Sequence, residues 1–520
     1  MSRTVAAPHG MVCSIDHLAS NAGVSVLQLG GTAVDAAIAT SAVLAVTAQH
    51  ACGMGGDLFA LVHTTGGPPA ALNASGRSGS GANPVALRAK GHESMPHRGN
   101  IAAVPVPGCV DGWLSLHERF GHLELRDVLG PAILYAENGF PAMAGLAAEA
   151  AAITHPSPHN EFVGVKAGDI VRRPGIARTL RSLIDAGREA FYQGEFGEAL
   201  IKLGQGEFTE YDLASDQAEW VAPLGIEVWD HELWTIPPNS QGYLALAGTG
   251  IVEGLDLPDD TRDPLWAHLM VEAARAAAHD RIRELHEGAN GAELIARARL
   301  DERRAAISPN GVADWSNSFG EGGTIHLTVA DASGMAVSLI QSVARGFGSY
   351  LIAGSTGIFL HNRGIGFSLN PGHPAEYGPG RRPPHTLSPA LITRADGSLR
   401  AVLGTMGGDA QPHVIQQMAT RLLRHGQTPG DVIESGRFVL GPADPSSMFG
   451  VWHGRGDVVV KIEPWMEPAW RKGLEERGHR VEVDTVSDHF GHAHCIEVRD
   501  DGLLMGQADP RAEASAAAGY

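Results

Sequence analysis

The stretch GGTIHLTVAD, residues 322–331, sets a threonine directly behind two glycines and at the head of an alternating run. A threonine hydroxyl is a weak nucleophile unless a base stands beside it, and one available base is the residue's own α-amino group once the residue heads a chain. That amine, with an ordinary pKa of about 7.7–8.0, is neutral in useful amount near physiological pH. It exists only if the peptide Gly323–Thr324 is broken, so Gly323 and Thr324 form a candidate cleavage site. The small glycines let that peptide be strained and let Thr324 Oγ reach the preceding carbonyl.

Other chemistries find less support. The sequence has no GxSxG elbow, no HExxH helix and no GxGxxG or P-loop cradle, and GTGIVEG (248–254) misses the dinucleotide spacing by one residue. HFGHAHC (489–495) offers His492 and His494 on one strand face with Cys495 behind them, but two alternate-position ligands do not complete a metal site, and ordinary strand histidines are the preferred reading.

The elements around Thr324 read as a hairpin. Thr324, His326 and Thr328 alternate with Ile325, Leu327 and Val329, which predicts a strand with one apolar face; DASG (331–334) turns the chain and MAVSLIQSV (335–343) returns it. Upstream, ISPNGVADWSNSFGEGG (307–323) has no sustained period and reads as an exposed loop. GGTAVDAAIATSAVLAVTAQH (30–50) predicts a buried helix ending at the glycine cluster of CGMGGDLFALVH (52–63), whose second half reads as a strand. From roughly 110 to 310 the pattern is mainly helical, and strand signals return in TGIFLHN, LRAVLGTMGG, DVVVKIEP and HCIEVRDDG. Strand-rich ends around a helical middle predict an α+β or layered sandwich protein with sheet drawn from both halves.

Composition bounds the partners. The 520 residues can bury a large core, and 66 glycines, nearly twice the usual share of about 7%, imply many tight turns. A formal charge of −19 and the lack of a Lys/Arg cluster argue against nucleic acid. The amino terminus lacks a secretory apolar run and no stretch of about 18 apolar residues could span a bilayer, so no membrane partner and a cytoplasmic location are expected. Cys13, Cys52, Cys109 and Cys495 are too scattered for a CxxC pair and read as small buried hydrophobes.

With GGTAVDAAIATSAVLAV…HACGMGGDLFALVH, GR at 76–77, the segment ending FGSYLIAGSTGIFLHN and GTMGG at 404–408, the chain resembles the γ-glutamyltransferase family of N-terminal nucleophile (Ntn) hydrolases, in order and over nearly its whole length. The resemblance implies an αββα four-layer sandwich made as one precursor and self-cleaved before Thr324. Residues 1–323 would form the large subunit and 324–520 the small one, intertwined as one domain in a heterodimer that could pair into a heterotetramer. It implies that Arg77 holds a substrate carboxylate, a task suited to a guanidinium fork. It also implies that Gly407 and Gly408 supply the N–H groups of an oxyanion hole and that Ser342 hydrogen-bonds the nucleophile.

Three recognition groups depart from the family pattern. Gly366 stands where glutamyl-processing members have an acid for the substrate ammonium, Ala344 replaces an asparagine serving the same group, and His385 and Thr386 replace paired serines at the carboxylate. The chain therefore most resembles the oxamate amidohydrolase-like branch, and a small carboxylate-bearing amide is the expected substrate, with no metal or organic cofactor needed. Three alternatives stay open: γ-glutamyl transfer with Asp409 or Asp57 holding the ammonium, hydrolysis of a C–C bond beside a carbonyl, and a non-catalytic scaffold that binds a small acid.

Overall fold

The computed structural model describes residues 4–155, 157–315, 324–442 and 458–520. Its centre is a pair of seven-stranded antiparallel sheets. The first runs β19 (Ala516–Gly519), β2 (Gly10–Ser14), β10 (Ile325–Asp331), β11 (Ala336–Ser342), β3 (Asp57–His63), β4 (Ala70–Ala74), β7 (Glu219–Val221). The second runs β1 (Val5–Ala7), β18 (Leu504–Ala508), β17 (Ala493–Val498), β13 (Leu399–Thr405), β12 (Ala390–Arg394), β9 (His231–Thr235), β8 (Leu224–Val228). Each sheet takes strands from both sides of residue 324. Smaller pieces are a three-stranded sheet of β14 (Phe438–Pro442), β15 (Val458–Ile462) and β16 (Val481–Val483), and a ribbon of β5 (Phe140–Pro141) with β6 (Ile170–Val171).

The predicted hairpin is β10–β11, in register from Ile325 opposite Gln341 to Ala330 opposite Ala336. Both of its faces are buried, where the sequence pattern predicted a single apolar face. Ile325, Leu327 and Val329 join a core with the helices of the first half, and each contributes about 1.5–3 kcal/mol by leaving water. The opposite face meets the second sheet, because apolar side chains such as Phe59, Ile340, Leu391, Val402 and Ile496 form a separate core between the sheets. His326 and Thr328 are buried in that inter-sheet space; His326 Nε2 lies 3.0 Å from Ser338 Oγ and its ring stacks 5.6 Å from His494. Burial drives the His326 imidazole well below its ordinary pKa, with His494 adding to the effect, so it sits there neutral.

The alanine-rich stretch forms helix Ala33–Thr47, capped by a reciprocal Thr32/Asp35 box. All fifteen of its residues are buried, which small side chains allow because neighbouring elements can approach on every side. A third core joins helices Tyr243–Glu253, Pro264–Ala278 and Gln411–Leu423 to the outer face of the second sheet.

Two expectations are corrected. The helical middle contains β7, β8 and β9, and TGIFLHN is not a strand: Ile352 and Phe359 make one isolated bridge, while Ser349 N–H donates to Leu360 O at 2.8 Å and His361 N–H to Gly55 O at 2.8 Å. Within 307–315, outside the terminal helix turn, there is one isolated bridge between Ser308 and Gly311; the rest of the expected loop, with Gly323, lies outside the described residues. All four cysteines are free and buried, and no described helix is long and apolar enough to cross a membrane.

Candidate active site

Thr324 stands immediately before β10 and is almost fully buried, and its Oγ lies 3.2 Å from Ser342 Oγ at the end of β11. Ser342 is opposite Asp57, the first residue of β3, so three adjacent strands converge here. Ser342 Oγ accepts from the Ala344 N–H at 2.8 Å and from Arg363 Nη2 at 3.4 Å. Ala344 bends the chain with φ +74°.

Thr324 and Gly407 line one cavity of about 360 Å³, together with Met406, Arg98, Arg345 and Glu149. Gly407 (φ +126°) and Gly408 (φ +56°) occupy backbone conformations that side chains disfavour, which is why the turn after β13 is glycine-built. Gly408 opens the short turn Gly408–Ala410 that leads into helix Gln411–Leu423. A buried brace supports it: Gln241 Nε2 donates to Gly408 O at 3.0 Å and to Thr386 O at 3.2 Å, and Arg281 donates to Gln241 Oε1 at 3.0 Å while pairing with Asp409 at 2.9 Å. A larger cavity of about 550 Å³ lies at the far end of the hairpin, beside Asp331 and Gly334.

Behind Ser342 is a charged cluster inside the protein. Asp57 accepts from His385 Nε2 at 2.9 Å and from the Gly76 N–H at 3.0 Å, and His361 Nδ1 is 3.3 Å away. Burial alone would raise the Asp57 pKa, but His361 and His385 more than offset it and hold the carboxyl well below its usual range. Burial takes His385 down to about 3, with Arg363 pushing the same way, so its imidazole is neutral and donates through Nε2 while Nδ1 accepts the Leu387 N–H at 3.2 Å. Burial brings Arg363 down to about 10 against the pull of Asp57 and Asp409, and the guanidinium stays charged at neutral pH.

The structure thus brings together Thr324, Ser342 and Gly407, with Gly408 next in the chain. His385 sits one layer behind, through Asp57, and the Thr386 carbonyl bonds to Gln241. Arg77 is turned elsewhere: its guanidinium pairs with Glu287, donates to Gly380 O at 3.1 Å and is about one third exposed. His492 bonds Asp488 at 3.0 Å and His494 is buried. Sequence reasoning did not single out Arg363, His361, Arg281 or Gln241. Arg363 carried a signal, as a lone charge in the Gly-rich stretch HNRGIGFS.

Comparison with known proteins gives the class. The family model described as gamma-glutamyltranspeptidase matches residues 19–519. The chain is 35% identical to the oxamate amidohydrolase proenzyme of Klebsiella pneumoniae over 98% of each chain. It is 34% identical to the glutathione hydrolase-like YwrD proenzyme of Bacillus subtilis over 99% of each. Among solved structures, cephalosporin acylase from Bacillus halodurans superposes with a TM-score of 0.89 at 31% identity, over 100% of this chain and 97% of that one. The protein is an enzyme, an amidohydrolase of the Ntn type. It belongs to the gamma-glutamyltranspeptidase family.

Proposed function

We propose that the protein is an autoprocessed threonine amidohydrolase of αββα four-layer architecture that hydrolyses a small carboxylate-bearing amide of the oxamate kind. The observation that carries this reading is the 3.2 Å contact of Thr324 Oγ with Ser342 Oγ at the wall of a cavity that Gly407 also lines. In maturation, Thr324 Oγ attacks the Gly323 carbonyl carbon, the peptide becomes an ester, and water hydrolyses it. Residues 1–323 then end in a carboxylate and 324–520 begin with the Thr324 amine, the two chains forming a heterodimer. The proenzyme names of both sequence relatives support processing from a precursor.

In turnover, Thr324 Oγ attacks the amide carbonyl while its α-amine takes the proton, and the Gly407 and Gly408 N–H groups hold the oxyanion, a contribution of about 2.7–4 kcal/mol per well-placed donor. The amine leaves with a proton, and water resolves the acyl enzyme to the free carboxylate. Arg77 is the proposed anchor of the substrate carboxylate, a role for which its guanidinium must leave Glu287 and Gly380 O and turn to the pocket, while His385, both of whose ring nitrogens are engaged, and Thr386 back the wall. The choice of an amide without an α-ammonium rests on charge. Asp57 and Asp409 are already bonded to His361, His385 and Arg281, and the two acids that line the cavity, Glu149 and Asp488, share it with Arg98, Arg345 and His492.

A denaturing gel with mass analysis, and turnover of oxamate against a chromogenic γ-glutamyl anilide, test the reading. Wild type should give two chains, the smaller beginning at Thr324; Thr324→Ala should stay whole and inactive, and Thr324→Ser should cleave more slowly. Cleavage of the alanine variant, or a preference for the γ-glutamyl compound, would overturn it.

A further inference from the structure

The cavity that Thr324 and Gly407 line is larger than oxamate needs. At about 360 Å³ it falls within the range, about 300–1,000 Å³, of pockets that enclose molecules several times that size. Arg77 reaches it only by turning, whereas the half-buried Arg98 lines it as it stands. Arg98 is held in place there. Its Nη1 donates to the carbonyls of Gly346 and Gly348, the latter at 2.6 Å, and its guanidinium lies 3.8 Å over the centre of the Tyr350 ring. Both carbonyls and the ring belong to the loop that follows Ser342. That loop keeps Ala344, Phe347 and Tyr350 at φ of +74°, +55° and +64°, strained conformations that persist only where the surroundings enforce them. One nitrogen and one face of the guanidinium thus seat it. Among the described residues Arg98 forms no ion pair with an acid, and its Nε and Nη2 donate to no acceptor. These two make the edge of parallel N–H groups that fits both oxygens of a carboxylate. Burial lowers the Arg98 pKa, with Tyr350 pulling it back and Arg345 adding to the fall, and the guanidinium stays charged at neutral pH.

We propose that Arg98 is a second carboxylate anchor, selecting amides whose amine half itself carries an acid, as the oxalyl amide of an amino acid does. The proposal rests on the amidohydrolase reading above and supplies the other half of the substrate. With the acyl carbon at Thr324 Oγ and its oxygen at the Gly407 N–H, the amine half extends into the cavity and its carboxylate meets the Nε–Nη2 edge of Arg98. Of the cavity's acids, Asp488 already takes His492 Nε2 at 3.0 Å, and Glu149 stands exposed on the helix Ala144–Ala151. In hydrolysis the C–N bond breaks; the hydroxyl of water completes oxalate, and its proton goes to the nitrogen, which leaves as the amino acid. A neutral amine half would leave Arg98 without a counter-ion.

The test compares N-oxalylglycine with N-ethyloxamate, in which a methyl group replaces the terminal acid. On the processed enzyme kcat/KM should be at least about tenfold higher for N-oxalylglycine, and in Arg98→Met and Arg98→Gln the ratio of the two should fall to about one, whatever the absolute rates. A merely structural Arg98 would lower both rates together and keep the ratio. A wild-type ratio near one, or a ratio that survives in the neutral variants, would overturn the proposal. If those variants do not fold, Arg98→Lys decides: it loses the two-pronged edge, so the ratio should fall at least about threefold, and an unchanged ratio overturns it. If wild type turns over neither amide, the reading of the acyl half fails by itself, and calorimetric titration of N-oxalylglycine decides this one. Binding to wild type at least about tenfold tighter than to the Arg98 variant supports it; equal binding, or none, overturns it.

Discussion

A single methyl group at Gly56 tests how closely the site is built. A Cβ placed there would lie 2.2 Å from the Ser342 carbonyl oxygen and 2.9 Å from its carbon. Carbon and oxygen settle at well over 3 Å, so something must move by about 1 Å. Neither backbone yields easily: the Gly56 N–H donates to Gly53 O at 3.0 Å, the Gly56 carbonyl accepts the Cys109 N–H at 2.9 Å, and Ser342 closes β11 opposite Asp57. Relief then displaces the last residue of β11, which carries Ser342 Oγ away from Thr324. Misplacement of about 1 Å lowers catalysis by about 100-fold, and overpacking of this kind costs about 1–3 kcal/mol in stability. Gly56→Ala should thus show slow, incomplete cleavage on a denaturing gel, turnover down by about two orders of magnitude and a lower melting temperature. Gly130→Ala is the control, since apart from its chain neighbours its Cβ would meet nothing within 4 Å and it lies far along the chain in helix Leu125–Asn138; it should cleave and turn over normally. If Gly56→Ala cleaved and turned over within about twofold of wild type, the spacing of Ser342 and Thr324 would not be what sets the rate.

Restoring an acid with Gly366→Asp should not create γ-glutamyl activity, because its Cβ would stand 2.5 Å from Pro384 O; anilide turnover checks this, and a gain would show that the segment can yield. Arg77→Lys removes the planar guanidinium, one nitrogen of which now bonds both Glu287 and Gly380 O, and should lower kcat/KM for oxamate at least about tenfold, about 1.4 kcal/mol; indifferent kinetics would place the carboxylate anchor elsewhere. Burial lowers His494 from 6.5 to about 3, against the pull of Asp509. A base with a depressed folded pKa contributes its stability above 6.5 and loses it as pH falls toward 3, by up to about 4 kcal/mol. Urea midpoints of the uncut Thr324→Ala chain should accordingly drop over that window, and adding His494→Leu should flatten the fall; parallel curves would refute the assignment.

What the sequence disclosed followed the strength of its local signals. The hairpin was legible because Ile325, Leu327 and Val329 alternate and DASG is a strong turn. That both its faces are buried was not, since His326 and Thr328 are polar and only the second sheet explains their burial. The β8–β9 hairpin escaped because its turn is Trp229–Asp230, both at positive φ, where Asn-Gly would have announced it. At the candidate site, Thr324, Ser342 and the glycine pair were expected from motif order, and the structure sets Thr324 beside Ser342 and in one cavity with Gly407. The Asp57, His361, His385 and Arg363 cluster joins residues some 300 positions apart, and no local spacing records such a meeting.

The interleaving of the sheets bears on recovery after damage. β2, β3, β4 and β7 share one sheet with β10, β11 and β19, so each strand of the Thr324 hairpin has a neighbour from the other side of the proposed cut. Folding of the uncut chain is a first-order event, with every pairing tethered through one backbone. A cut before Thr324 makes the same pairings bimolecular, each fragment exposing open sheet edges until it meets the other. The mature enzyme would then be a molecule assembled once: its recovery from denaturant should depend on concentration and compete with aggregation, while the uncut precursor refolds at any dilution.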